Sequence, residues 1–401
     1  MLKYYTLSFF LMLLISNCSS DSIANGFNKH KVIGSENDSV QSISLDEATD
    51  SIEFPISIIL PIAICTNESS TILYDYSESV IKVLNSNGTY KVFDPMGSGN
   101  ERLSGTYFNN VGYSGKDLII SSGSSIQKYF LDEEIFSTSI DTFEQCSDFT
   151  FKFNELFIDE FEGDSIIISL DGIPCINTPR GNTPFTVDEF KSIKFARVKN
   201  LSLNESNYTF RIPISNPIID KQKLYVSTNP KLTYHNGKNR FYAIISPTPY
   251  LYEYKLDISL MEFKLINTWK INLPSIDIPI NFTLNKGIDT ELIDKNLKYN
   301  PEIKLVEAIN DHIIVLYRPS KNTDIANIAD SKFPHHYLLA IINIETEEVK
   351  VYAVDYNKMS YLGCQENGDM LFYDKLSSER SNQVISIVKK INMNSLTNKE
   401  I

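Results

Sequence analysis

The sequence predicts an all-β fold, a β-propeller most simply built from six blades with seven as the alternative, and with short helical insertions. The chain contains 22 Tyr, 23 Phe and one Trp among 401 residues, and aromatic and β-branched residues favour strands. Roughly twenty short apolar runs are separated by polar turns about every 8–12 residues, which is typical of sandwiches, barrels and propellers. A unit of apolar run, polar turn, apolar run and long crossing starts near residues 73, 118, 166, 224, 313 and 361. About 350 residues divided among six units leave ~58 residues each, enough for the four-stranded sheet of one blade.

The stretch Thr71–Leu131 shows the unit most clearly. Its first apolar runs are followed by Asn87-Gly88, a dipeptide that predicts a type I′ hairpin turn because both central residues need φ > 0. Asp94–Gly115 contains five glycines and is predicted to be a crossing loop. Leu118–Ser121 and Ile126–Leu131 then begin the next unit.

Two stretches interrupt the strand pattern and predict short helices in loops. Pro179–Ala196 offers Thr186 as an N-cap, and Lys286–Lys298 carries an apolar stripe. Loops on a rigid scaffold commonly hold binding residues. The alternative is that both helices only cover blade edges.

The amino terminus predicts export and a lipid anchor. Lys3 precedes the nine-residue apolar run Leu7–Ile15, which is too short to span a bilayer but fits a signal peptide. The run leads into Ile-Ser-Asn-Cys18, which resembles a bacterial lipobox, although Asn17 replaces the commoner Gly or Ala. Residues 1–17 are therefore predicted to be a lipoprotein signal peptide, and Cys18 the lipidated residue. The alternative is a plain secretory signal.

The remaining chain is predicted to consist of two parts. Residues 18–50 are rich in Ser, Asn, Asp and Glu and predict a flexible tether. Residues 51–401 predict one propeller domain, with Pro55 and Pro61 suited to strand ends. The expected location is the bacterial cell envelope, with the outer membrane favoured.

Four further cysteines leave their pairing open. Cys65, Cys146, Cys175 and Cys364 allow three complete pairings, and no spacing selects one. Buried free thiols are the simplest interpretation. A disulfide between Cys65 and Cys364 that closes the ring is a further hypothesis.

Charge and motifs exclude several function classes. The net charge of −13 argues against nucleic-acid binding, which requires clusters of Lys and Arg. The five histidines show no metal-ligand spacing, and no calcium loop is present, so neither a metal nor a cofactor is predicted. Tyr250, Tyr252 and Tyr254 alternate along one strand and share a face. They could stack on a sugar or peptide ligand, or pack between blades.

The lipobox, the tether and the unit Ile72–Phe93 leading into Gly97-Ser-Gly-Asn-Glu-Arg together resemble Bacteroidota-type six-bladed, NHL-like β-propeller lipoproteins. The likeness covers ~60 residues clearly, and it implies fold and location but no chemistry. The predicted function is a lipid-anchored binding or scaffold module for a protein or glycan at the loop-bearing end of the ring. The alternative is an envelope glycan hydrolase or lyase whose carboxylates come from several blades.

Overall fold

The structure is a computed structural model, and its description covers most of the predicted propeller. The described residues are 31–34, 40–59, 61–66, 70–75, 78, 80–94, 108–114, 117–122, 125–130, 135–136, 141–142, 152–171, 194–211, 213, 223–224, 230–245, 248–274, 276, 282–283, 301–319, 336–365, 367–376 and 385–397. Within these ranges, no helix has the length and apolar character needed to cross a membrane.

Six sheets of four or five strands account for most of the described chain, and the first three each use one continuous stretch of sequence. Sheet 1 contains β4 (Pro61–Thr66), β5 (Ser70–Asp75), β6 (Val80–Asn85) and β7 (Tyr90–Phe93). Sheet 2 contains β8 (Phe108–Ser114), β9 (Asp117–Ser122), β10 (Ser125–Phe130) and β11 (Ile135–Phe136), with β12 (Asp141–Thr142) also paired to β10. Sheet 3 contains β13 (Lys152–Phe161), β14 (Asp164–Asp171), β15 (Ala196–Asn200) and β16 (Glu205–Thr209).

The other three sheets each receive a strand from the amino-terminal segment. Sheet 4 contains β18 (Pro230–His235), β19 (Arg240–Ile245), β20 (Tyr250–Asp257), β21 (Glu262–Ile271) and β1 (Lys31–Ile33). Sheet 5 contains β23 (Glu302–Ile309), β24 (His312–Arg318), β25 (His336–Asn343), β26 (Glu348–Asp355) and β2 (Gln41–Ser42). Sheet 6 contains β27 (Met359–Cys364), β28 (Asp369–Asp374), β29 (Ser386–Asn392) and β3 (Asp50–Phe54). A separate pair joins β17 (Lys223–Leu224) to β22 (Phe282–Thr283).

The sheets are arranged around a closed ring. The first strand of each sheet contacts the first strand of the next, in the order β4, β8, β13, β18, β23 and β27, and β27 returns to β4. The predicted all-β fold and its β-propeller architecture are therefore confirmed. We call these six strands the inner strands.

Helix is sparse in the described part of the chain. It comprises two 3₁₀ turns, Leu45–Glu47 and Asn236–Lys238, and the carboxy-terminal helix α1 (Met393–Thr397). The predicted helix at Lys286–Lys298 lies outside the described residues, as does all of Pro179–Ala196 except 194–196, which lead into β15.

The amino-terminal segment packs around the outside of the ring. β1 pairs in parallel with β21, β2 in parallel with β26, and β3 antiparallel with β29. The predicted flexible tether over residues 18–50 is therefore wrong for residues 31–34 and 40–50, where the described strands pair with sheets 4, 5 and 6. Ile33 is fully buried between sheets 4 and 5, and the free edges of β21 and β26 supply hydrogen-bonding partners that composition does not reveal.

Apolar side chains fill the spaces between neighbouring sheets. Phe195 and Phe241 lie between sheets 3 and 4, and Tyr317 lies between sheets 4 and 5. Phe372 lies between sheets 5 and 6, and Phe54 lies between sheets 6 and 1. Burying one such side chain contributes about 1.5–3 kcal/mol, so these interfaces hold the ring together.

Two details of the Thr71–Leu131 unit differ from prediction. The glycine-containing stretch Asp94–Gly115 is not wholly a loop, because Phe108–Ser114 forms β8 and pairs with β9. The turn after β6 has a positive φ only at Gly88, and Asn85 N–H donates to the Thr89 carbonyl at 2.8 Å. It is therefore not a type I′ turn.

The ring closes through strand pairing. β3 ends immediately before Pro55 and β4 begins at Pro61, as the two prolines predict. Cys364 is a free thiol, so the hypothetical disulfide with Cys65 is not formed.

Candidate functional site

The inner strands of sheets 4 and 5 run in the same direction, which defines two faces of the ring. Near the strand starts, Lys231 on β18 lies close enough to Glu302 and Lys304 on β23 for both residues to shift its pKa. Near their ends, the imidazole Nε2 of His235 contacts the carbonyl of Asn310. We call the face at the strand starts the upper face and the opposite one the lower face.

A cluster of charged side chains lies at the upper face, and we call Lys231, Glu302, Lys304 and Arg318 the basic rim. Lys304 Nζ lies 2.8 Å from Glu302 Oε1, and Arg318 Nη2 lies 3.5 Å from Glu302 Oε2. Glu302 and Arg318 are directly opposite each other on β23 and β24. The cluster carries three positive charges and one negative charge at neutral pH, in a protein whose net charge is −13.

Lys231 is the member of the basic rim that the fold perturbs most. Burial lowers its pKa, Glu302 partly opposes this change, and Lys304 lowers the pKa further, to about 8. Desolvation disfavours an ammonium group, and a second ammonium nearby adds to the effect. An anion placed between Lys231 and Lys304 would offset both the desolvation of the Lys231 ammonium group and its repulsion from Lys304.

Two tyrosines and a fourth cation lie beside the basic rim. The rings of Tyr337 and Tyr356 are 4.4 Å apart at an angle of 41°, and Lys375 Nζ lies 4.3 Å from the Tyr356 ring centroid. Burial raises the pKa of Tyr337, and Glu302 raises it further. Burial also lowers the pKa of Lys375. Sheet 6 therefore adds a further cation near the basic rim, with the carboxylate of Asp355 partly offsetting the effect of burial on its pKa.

A different arrangement joins the inner strands of sheets 5 and 6. Tyr361 Oη donates a hydrogen bond of 2.5 Å to Glu307 Oε2. Burial raises the pKa of Glu307 to about 7, although hydrogen bonds from Tyr361 and the Cys364 N–H oppose the shift. A Cβ at Gly363 would lie 2.9 Å from Glu307 Oε1, so glycine leaves room for the carboxyl group.

Cys364, at the end of β27, is not activated. Burial raises the pKa of its thiol, and the nearby Glu307 raises it further. Thiolates are the reactive form of cysteine, so this position does not suit a nucleophile.

The three tyrosines predicted from sequence lie between sheets 3 and 4. Tyr252 is 0% exposed and Tyr254 is 3% exposed within one apolar cluster, and Tyr250 packs against the same cluster. Tyr254 also lies 5.1 Å from the ring of Phe210. Packing between neighbouring sheets therefore accounts for this alternation, and stacking on a ligand does not. Cys18 lies outside the described residues.

A second concave region lies at the seam where the ring closes. This cleft of about 460 Å³ is lined mainly by Ser51, Glu53, Thr71, Leu84 and Asn85. Among the described residues that line the cleft, the exposed Glu53 is the charged one. Within the described ranges, no three His, Cys, Asp or Glu side chains come together as metal ligands. The basic rim is therefore the stronger candidate site.

Sequence reasoning missed the basic rim. Lys231 and Lys304 are separated by 72 residues of chain, and neither belongs to a basic run. The only local signal is the pair Glu302 and Lys304 on one face at the start of a strand, a pattern that is also common on solvated strands.

Comparisons with known proteins identify the architecture. No protein-family model and no curated protein matches the sequence. The chain is similar to the structure of a member of the DUF4221 family from Bacteroides vulgatus, with a TM-score of 0.58, 11% identity, and coverage of 86% of this chain and 96% of that one. It is also similar to a candidate exported protein from Bacteroides fragilis, with a TM-score of 0.51, 12% identity, and coverage of 90% and 99%. These likenesses establish the fold alone.

Proposed function

We propose that this chain is a six-bladed, lipid-anchored binding protein of the bacterial envelope that captures an anionic ligand at the basic rim. The ligand class is a molecule bearing carboxylate or phosphate groups. The observation that carries the proposal is the placement of Lys304 and Arg318 on the carboxylate of Glu302, with Lys231 on the adjacent inner strand β18.

The position of the basic rim supports a role in binding. The side chains come from inner strands and their neighbours at the mouth of a rigid ring, a common location for ligand sites in propellers and barrels. Burial disfavours the positive charge of Lys231, and Glu302 offsets this cost only in part. A ligand carboxylate or phosphate would add to that compensation, with Arg318 able to offer paired N–H donors.

The envelope location is supported by the sequence and by one structural relative. The lipobox-like residues before Cys18 support lipidation, and the Bacteroides fragilis relative is described as a candidate exported protein. The six-blade count is supported by the six sheets with four or five strands. Mass spectrometry of the mature protein would test the lipid on Cys18 directly.

Glu307 supports the second candidate function, a glycan hydrolase or lyase. A carboxyl group with a pKa of about 7 could act as a general acid or base near neutral pH. Canonical glycoside hydrolysis, however, uses two carboxyl groups, and the oxygens of Glu307 are bonded to Tyr361 and the Cys364 N–H. Polysaccharide turnover that is abolished by Glu307→Gln would favour the enzyme over the binding protein.

Calorimetry with named probes tests anion capture. The full chain in detergent is titrated with galacturonate trimer and inorganic phosphate, with maltotriose as the neutral comparison. We expect at least one anion to bind and Lys304→Gln to weaken its binding about tenfold, since a close charge pair contributes about 1.4 kcal/mol or more.

Lys270→Gln is the matched control, because Lys270 is an exposed lysine on β21, outside the basic rim. It should leave the affinity unchanged. Equal binding of maltotriose, or an affinity that Lys304→Gln does not alter, would contradict anion capture at this site.

A further inference from the structure

The cleft at the seam between sheets 6 and 1, which we call the seam cleft, runs along the edge of a strand. Ser51, Ile52 and Glu53 all line it, although successive side chains of a strand point to opposite faces. The seam cleft therefore follows the backbone of β3 and not one of its faces. Within the described part of the chain β3 is the outermost strand of sheet 6, so its outer N–H and C=O groups border the cleft.

The fold fills the equivalent edge of sheets 4 and 5 with an extended segment. β21 and β26 hold the fourth position in their sheets, as β3 does in sheet 6. β21 receives β1 as a fifth strand and β26 receives β2, and both added strands are parallel to their partners. Among the described strands, sheet 6 has no fifth member, and the seam cleft lies beside the edge where one would pair.

An isoleucine accompanies backbone pairing at both filled edges. Ile33 of β1 is opposite Ile271 and is fully buried with it in the cluster between sheets 4 and 5. Ile43 follows β2 and donates its N–H to the Ala353 carbonyl at 3.2 Å. Its side chain is buried between sheets 5 and 6. Each added segment therefore inserts one aliphatic side chain into the space between two sheets.

The seam cleft provides for both kinds of contact. Ile52 and Leu84 line it and pack against the apolar cluster between sheets 6 and 1. A residue opposite Ile52 on a parallel strand would point toward sheet 1, just as Ile33 shares a cluster with its partner Ile271. The following residue would lie opposite the exposed Glu53. The volume of about 460 Å³ lies within the range of pockets that hold small ligands.

We propose that the seam cleft binds an extended segment of a partner protein, which adds to β3 as a parallel fifth strand of sheet 6. The segment places an aliphatic side chain opposite Ile52 and a basic side chain opposite Glu53. In this mode of recognition, main-chain hydrogen bonds supply affinity and side-chain pockets supply specificity. The seam cleft shares no residue with the basic rim, so failure of this proposal would leave anion capture unaffected.

A synthetic peptide tests strand addition. Fluorescently labelled Thr-Val-Thr-Ile-Lys-Thr is titrated with the full chain in detergent, and binding is followed by anisotropy. We expect saturable binding that weakens at least about tenfold when the amides of the Thr-Ile-Lys segment are N-methylated, because methylation removes the backbone donors. A peptide with Asp in place of Ile should bind at least about tenfold more weakly, because a carboxylate would enter an apolar space.

Two variants of the chain locate the binding site. Glu53→Lys reverses an exposed charge and should weaken binding by up to about fivefold. Leu84→Ala shortens the apolar side chain opposite the ligand and should weaken binding about fivefold. The matched controls are Glu262→Lys on β21 and Val92→Ala on β7, which alter exposed side chains outside the seam cleft. Both controls should leave the affinity unchanged.

Hydrogen exchange identifies the strand edge that the peptide occupies. We expect amides of residues 50–54, which form β3, to exchange several-fold more slowly with the peptide bound, because new backbone pairing suppresses local opening. Amides of residues 31–33, which form β1, should exchange equally with and without the peptide.

Four outcomes would overturn the proposal. The first is the absence of saturable binding at about 1 mM peptide. The second is binding that neither N-methylation nor the two variants weaken, which would place the peptide elsewhere. The third is faster exchange of residues 31–33 with unchanged exchange of residues 50–54, which would mean that the peptide displaces β1. The fourth is a dimer in which residues 50–54 are already protected without peptide, which would assign the edge to a second copy.

Discussion

Lysines on the inner strands and at the turns of the lower face differ in the direction in which the fold shifts their pKa. Lys231 lies near the start of β18, and Lys238 lies seven residues later in the 3₁₀ turn that follows this strand. Burial lowers the pKa of both, but for Lys238 hydrogen bonds to Glu345 at 2.9 Å and to Asp311 outweigh burial and leave its pKa raised. For Lys231 desolvation prevails, and the pKa falls to about 8.

This difference separates structural charges from functional ones. Lys238 joins turns of sheets 4 and 5 through Asp311 and Glu345, and this pairing favours the folded state. Lys231 and Glu307 on the inner strands are charges that the fold disfavours. Ionisable groups whose pKa is strongly shifted by burial are more frequent at functional sites than elsewhere.

Replacing Glu307 should give the largest stability effect. Its pKa is about 7 in the folded chain against an ordinary 4.5, which corresponds to about 3 kcal/mol at most. Because the folded pKa is raised, the destabilising contribution of Glu307 is absent below pH 4.5 and grows as pH rises to about 7. Glu307→Gln should therefore be more stable than wild type at pH 8 and similar to it at pH 4.5, as measured by urea unfolding.

The control for this prediction is Glu53→Gln, which alters an exposed carboxylate on β3. It should show no such pH-dependent gain. An equal gain for Glu307→Gln at both pH values would mean that ionisation of Glu307 is not the cause.

Replacing Lys231 should stabilise the protein and weaken binding together. Lys231→Met removes a desolvated charge, and we expect a gain of about 1–3 kcal/mol at pH 7. The folded pKa is depressed, so the wild-type penalty is complete below pH 8 and disappears as pH rises toward 10.5. The stability difference should shrink over that interval, while affinity for the anionic probe at pH 7 should fall. A variant that loses both stability and affinity would contradict the contrast with Lys238.

Replacing Lys238 should have a smaller effect of opposite sign on stability. Lys238 is partly exposed, so Lys238→Met should cost less than about 1 kcal/mol. Because screening weakens such pairs, 1 M NaCl should reduce the difference. Calorimetry should detect no change in anion affinity. A loss of affinity equal to that of Lys231→Met would contradict the assignment of Lys231, and not Lys238, to the binding site.

The pH dependence of binding should give the smallest change. Affinity for galacturonate trimer should fall a few-fold between pH 7 and pH 9.5, because Lys231 loses its proton near pH 8. Lys231→Arg keeps its charge over this range and should flatten the profile. A profile with the same slope in both proteins would assign the pH dependence to another group.

Local patterns were enough to predict the repeated strands but not every strand. The units near residues 73, 118 and 313 are predicted because their apolar residues lie between turn signals. β8 was missed because its glycines and asparagines favour a loop, and only pairing with β9 makes Phe108–Ser114 a strand. β1 was missed because its partner, β21, is more than two hundred residues away.

The candidate site was even less accessible to sequence reasoning. Tyr250, Tyr252 and Tyr254 share a face as predicted, but which sheet covers that face depends on the order of blades in the ring. Lys231 and Lys304 become neighbours only because β18 and β23 are adjacent inner strands.

The sequence by itself determined the all-β class, the repeated unit and the hairpin positions, because turn chemistry and strand alternation act over a few residues. The tertiary structure alone decided how the ring closes through β3, where β1 and β2 pack, and which charges meet at the basic rim. These features depend on contacts between residues far apart in the chain, and the pKa of Lys231 depends on burial that only the packed inner strands create.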